Sequence, residues 1–150
     1  MTTVNGQKLP ASINNLIEAE RWTMPSDQSL LNKLFGLAIS TGYGGPTLYL
    51  PQQMQLETSN WIDLAGTDSF LHGTPDIDQL PGDIDPANTV LIGDAGMGLD
   101  SPIAMDFRTS PTNPRIVLFV WTDPPKKSRW NQIAPNLSTF IDFLGLQMPT

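Results

Sequence analysis

Thr89-Val-Leu-Ile92, Ile103-Ala-Met-Asp-Phe107 and Arg115-Ile-Val-Leu-Phe-Val-Trp121 decide the fold of this chain. Each run is short and rich in β-branched and aromatic residues, and clusters of Gly, Pro, Asn and Ser separate them, which reads as three strands. The links Arg108 to Pro114 and Thr122 to Arg129 are connections between antiparallel neighbours, and Trp130 to Ile133 is a candidate further strand. Such links are too short for the crossovers that parallel strands need.

Upstream, the periodicity is helical. Pro10 and Ser12 precede Ile13, Leu16, Ile17 and Glu20, which predicts a helix running to about Trp22. Pro25, Ser26 and Asp27 restart the chain, and Leu30, Leu31, Leu34 and Phe35 form a second, short stripe before Gly36. Thr41 to Pro46, with three Gly and a Pro, is a turn or loop. Pro51 opens a third helix through Met54, Glu57, Trp61 and Leu64, Gly73 to Asn88 is a loop rich in Pro and Asp, and a last helix spans Asn136 to Leu144, closed by Gly145. Helices, then a meander of strands, then a helix predict an α+β fold: an antiparallel sheet flanked by helices, with helices at both termini.

The length of 150 residues fits one domain, 1–150, with enough apolar material for a core. Met1 to Pro10 reads as a polar lead-in without the apolar run of an export signal. The longest apolar run, Ile116 to Trp121, is far below the roughly 20 residues of a spanning helix, so a soluble, cytoplasmic protein is expected. The chain has no Cys, which removes thiolate nucleophiles, disulfides and thiolate metal sites and fits a reducing compartment.

The net charge is −7, and its distribution carries more than its sum. Between Lys33 and Arg108 there is no Lys or Arg, while Glu57, Asp63, Asp68, Asp76, Asp78, Asp83, Asp85, Asp94, Asp100 and Asp106 all fall there. A field of that sign repels nucleic acid and anionic membrane and favours a basic partner. Solubility is the other reading of the same pattern.

The motifs that suggest chemistry do not hold their spacing. Gly93-Asp-Ala-Gly96-Met-Gly98 follows a strand as a nucleotide-binding turn does, but the stretch after it contains Pro102 and reads as a strand. It is read as a glycine-rich loop between strands, and no cofactor is expected. If Asp76 began a calcium loop, its fifth position would be Leu80 and its twelfth Ala87, so two oxygens are missing and no metal is expected. His72 is the only histidine, no Ser stands in a nucleophile elbow, and His72 reads as a turn residue beside Gly73. Trp22, Trp61, Trp121 and Trp130 read mostly as core or edge of core rather than as a base-stacking surface, and Lys126, Lys127 and Arg129 as the solvated tip of a connection.

One combination of segments resembles a known family. Leu16-Ile-Glu-Ala-Glu-Arg-Trp22 with Pro25, Val90-Leu-Ile-Gly93, Ile103-Ala-Met-Asp-Phe-Arg108, and Trp130 through Ile133 and Ala134 to Phe140, Phe143 and Leu144 follow the order of the SUKH superfamily. The likeness is to its Smi/Knr-like bacterial branch and spans about Pro10 to Leu146. The resemblance implies an antiparallel sheet flanked by helices and a function in binding: most bacterial members are immunity proteins that neutralise toxin domains, commonly nucleases. Asp100 and Asp106 match acidic positions of that family.

The expected function is therefore a non-catalytic protein-binding domain that neutralises a basic, nuclease-type toxin, with Asp76, Asp78, Asp83, Asp85, Asp94 and Asp100 facing the partner. A regulatory adaptor of the same fold, bound to a housekeeping protein, and an unrecognised enzyme are the alternatives.

Overall fold

A computed structural model describes residues 2–36, 45–78, 80–122 and 127–147, with the backbone alone at 121, 122 and 127. The Thr41 to Pro46 loop up to residue 44, Lys126, and the side chains of Trp121 and Lys127 lie outside the described residues.

Strand β1 (Thr3–Val4) and strand β2 (Gln7–Lys8) form a hairpin through Asn5 and Gly6, both at positive φ. The Asn-Gly pair suits such a two-residue turn because both positions must be left-handed. The lead-in is therefore structured. The Asn5 side-chain amide donates to the carbonyls of Pro86 and Thr89, which fastens the hairpin to the body of the protein.

Helix α1 (Ala11–Glu18) buries Ile13 and Leu16, and helix α2 (Gln28–Phe35) starts at Asp27, whose carboxylate caps the amides of Ser29 and Leu30. The first helix stops short of Trp22. Glu20 turns left-handed, the Arg21 amide folds back onto the Leu16 carbonyl at 2.8 Å, and the Trp22 indole instead donates to the Tyr49 carbonyl. Strand β3 (Thr47–Leu48) leads into helix α3 (Pro51–Ala65), which buries Met54, Thr58, Trp61 and Ala65.

Strands β4 (Pro81–Gly82), β5 (Thr89–Asp94), β6 (Pro102–Asp106), β7 (Arg115–Thr122) and β8 (Lys127–Ala134) complete a six-stranded sheet with β3. Its order is β3-β5-β6-β7-β8-β4, and each neighbouring pair is antiparallel. Helix α4 (Leu137–Leu144) packs on β7 and β8, capped by Asn136 and ended by Gly145. The fold is α+β with helices at both termini, as the strand and helix patterns predict. Strand β8 begins at Lys127 rather than at Trp130, and two residues of the Pro/Asp-rich loop form the edge strand β4.

Strands β5 and β6 are buried along their whole length, so both faces of the sheet centre are covered. The pairing of β5 with β6 shifts register in a bulge between Leu91 and Gly93, and the Leu91 amide donates to the buried Thr58 hydroxyl of α3 at 3.0 Å. Beside the bulge, β3 crosses so close that a Cβ on Gly93 would collide with the Thr47 carbonyl oxygen. Only glycine lets the two backbones meet there. Trp61 and Trp130 meet edge to face at 5.6 Å, and Trp130 meets Phe119 at 5.1 Å, so α3 is joined to the sheet by a run of rings. Trp22, Trp61 and Trp130 are all buried, which leaves none of them as a stacking platform.

Candidate functional site: an acidic loop at the sheet edge

The six carboxylates expected to face a partner fall into two groups. Asp76, Asp78, Asp83 and Asp85 belong to the chain that passes β4 and enters β5, whereas Asp94 and Asp100 lie where β5 ends and turns into β6. Five residue steps along β5 separate the two ends, roughly 17 Å at strand rise.

In the first group, the Asp76 carboxylate accepts the Asp78 amide at 2.8 Å and stands 4.0 Å from the Arg129 guanidinium. Asp78 is exposed. Asp83 is half-buried and pairs with Arg108 at 3.3 Å, and Arg108 also donates to the Asp83 carbonyl. Asp85 accepts the Ala87 amide and the Asn88 side chain at 2.7 Å, capping the 3-10 turn Pro86–Asn88. Asp83 and Asp85 therefore hold the chain in shape as well as carrying charge.

Asp94 is corrected from surface to interior. It is 7% exposed, Oδ2 accepts the Tyr49 hydroxyl at 2.6 Å and Oδ1 accepts the Gly96 amide at 2.8 Å, so both oxygens are engaged inside the fold. Burial first, then the bond to Asp94 and its charge, then the charge of Glu57, push the Tyr49 phenol well above its ordinary range. Asp100 is exposed and, with Thr47, Met97 and Gly98, lines a cavity of about 570 Å³.

Asp106 is fully buried between two arginines, at 3.0 Å from Arg108 and 2.9 Å from Arg115. Burial draws the Arg108 pKa down, but the hydrogen bonds and charges of Asp106 and Asp83 outweigh it and raise the pKa above its ordinary value. Among the described residues, three arginines are thus occupied by Asp76, Asp83 and Asp106, and no ion pair reaches Asp78, Asp85 or Asp100.

The glycine-rich turn closes on itself. The Ala95 amide donates to the Ser101 carbonyl, Gly96 to Asp94 and Met97 to the Ser101 hydroxyl, and a 3-10 turn at Gly98–Asp100 leads directly into β6. Its amides are turned inward rather than gathered into an anion cradle at a helix start. His72 ends a 3-10 turn, Ser69–His72, with Nε2 2.9 Å from the Ala65 carbonyl, tying the loop to the end of α3. Among the described residues no three His, Cys, Asp or Glu side chains come together as a metal site. No described helix is long and apolar enough to cross a membrane.

Sequence reasoning did not find Ile77, which stands 89% exposed between Asp76 and Asp78. The tetrapeptide Pro75-Asp-Ile-Asp78 has a near twin in Gly82-Asp-Ile-Asp85, whose Ile84 is buried at 3% exposure, so the sequence pattern does not separate the two. Comparison with protein-family models, curated proteins and solved structures finds no match.

Proposed function

We propose that this chain is a non-catalytic protein-binding domain of the immunity type, which neutralises a basic toxin domain by occupying the surface that the toxin turns to phosphate. The observation that carries this reading is the loop of Asp76, Asp78, Asp83 and Asp85, in which Arg129 stands against Asp76 and Arg108 against Asp83, while no ion pair reaches Asp78 or Asp85 among the described residues. Carboxylates spaced along a held backbone imitate the charge of a nucleic acid, and attraction of that kind speeds encounter with a basic protein. The SUKH-like order of segments supports the same reading, as does a fold whose helices and sheet hold these carboxylates on short, hydrogen-bonded loops.

The test is to establish whether a secreted toxin is encoded beside this chain's gene and to co-express that toxin's C-terminal domain with this chain. The expected outcome is restored growth and a one-to-one complex whose affinity falls as salt rises. Growth arrest that this chain leaves unrelieved would overturn the reading. A tagged chain that instead retrieves a housekeeping protein, with no toxin encoded alongside, would point to an adaptor of the same fold.

A further inference from the structure

Ile77 has the highest exposure among the exposed large hydrophobics, 89%, and Leu80 beside it is 55% exposed. A single exposed aliphatic side chain is ordinary on a protein surface. Two features set this pair apart: its charged frame and its rigid support.

The frame is Asp76 and Asp78, one on each side of Ile77; Asp76 already stands 4.0 Å from Arg129, so Asp78 is the flanking carboxylate that no ion pair reaches among the described residues. The support is a stem closed by backbone bonds. The Thr74 amide donates to the Gly82 carbonyl at 3.0 Å, Asp76 to Pro81 at 3.3 Å, and Gln132 of β8 donates to the Leu80 carbonyl at 2.8 Å. Gly82 sits at φ 78°, and a Cβ there would run into the Thr74 carbonyl oxygen and the Asp76 amide nitrogen, so the two sides of the stem are in backbone contact. These bonds tie both ends of the segment that carries Ile77 and Leu80, which lowers the entropy a side chain there loses when it docks. By contrast, the groove beside Leu50 and Leu56 on α3 is bordered mainly by the uncharged Gln52, Gln53 and Gln55, with little charge to select what covers it.

We infer that Ile77, backed by Leu80, is the apolar anchor of a docking surface for a basic protein, entering an apolar socket whose Lys or Arg rim meets Asp78. This inference rests on the immunity reading and names the part of the surface that does the binding. Interface energy concentrates in a few residues that become fully covered, with charges around them setting approach and register. Ile77 supplies the first and Asp78 the second.

The experiment titrates the isotope-labelled chain with the toxin domain identified by that co-expression, following amide shifts and measuring Kd. Amide shifts are expected to concentrate at Asp76, Ile77, Asp78 and Leu80. Ile77→Ser is expected to raise Kd at least about tenfold, the scale of losing one buried aliphatic side chain, with no change in Tm. Asp78→Asn is expected to slow association and flatten its salt dependence. A complex whose shifts fall on α3 or around Met97, with Ile77→Ser as tight as the parent, overturns the anchor and leaves the immunity reading standing. A parent chain that does not bind this domain overturns both.

Discussion

The Tyr49 hydroxyl and the Asp94 carboxylate meet at 2.6 Å, and through them the residue that follows β3 is bonded to the end of β5. The same carboxylate holds the Gly96 amide, so one buried acid fixes both the sheet edge and the turn beyond it. Tyr49→Phe removes the donor and leaves one oxygen of a nearly buried carboxylate unsatisfied, at a cost of about 1–3 kcal/mol. The fold also holds this phenol neutral where an unfolded tyrosine, near pKa 10, ionises. Its contribution is complete below about pH 10 and declines as pH rises above that value. Urea denaturation at pH 7 and pH 11 checks both points: the parent loses stability between them, and Tyr49→Phe loses less.

Asp106 is the buried charge on which two arginines converge. Asp106→Ala leaves Arg108 and Arg115 without their shared partner at the base of β6 and β7. Because both guanidiniums keep some contact with water, the expected loss is at the low end for a broken buried pair, roughly 3 kcal/mol. A thermal melt reads it directly, and retention of the parent Tm would contradict it.

Gly93→Ala tests the close crossing of β3 over the bulge. The added methyl meets backbone, which has less freedom to yield than a side-chain tip, so a loss of about 3 kcal/mol is expected, the upper part of the overpacking range. Hydrogen exchange should show faster opening at Thr47 and Leu48 than in the parent.

The aspartates that shape loops and those that only carry charge separate on stability alone. Asp85→Ala removes a turn cap and a bond to Asn88 and should cost about 1 kcal/mol. Asp78→Asn and Asp100→Asn change exposed carboxylates without ion pairs among the described residues and should stay within roughly 0.5 kcal/mol of the parent. Chemical denaturation of the three variants side by side decides it.

The strands Thr89–Asp94, Pro102–Asp106 and Arg115–Thr122 were legible because short apolar runs with β-branched and aromatic residues, bounded by turn formers, favour strands. Helices α3 and α4 were legible from their apolar spacing and their Pro51 and Asn136 starts. Strands β1 to β4 were missed because two residues are too few to show alternation, and only the Asn5-Gly6 dipeptide announced any of them. The end of α1 was misplaced because Trp22 continues an apolar rhythm that Glu20 breaks by turning left-handed, a backbone choice that composition does not encode. At the site, charge was legible and burial was not: Asp94 and Asp78 look alike in sequence, yet one is sealed against Tyr49 and the other faces water.

Both borders of the large sheet are only two residues long, and the outer carbonyls of one of them, at Pro81 and Gly82, are already taken by the amides of Asp76 and Thr74. Pro81 brings no amide hydrogen of its own. A foreign strand laid along that border finds few free groups to pair with, so strand addition and fibril growth are disfavoured there. A partner arriving at that border would be met through side chains rather than backbone. The side chains there can be exchanged while the sheet beneath stays unchanged.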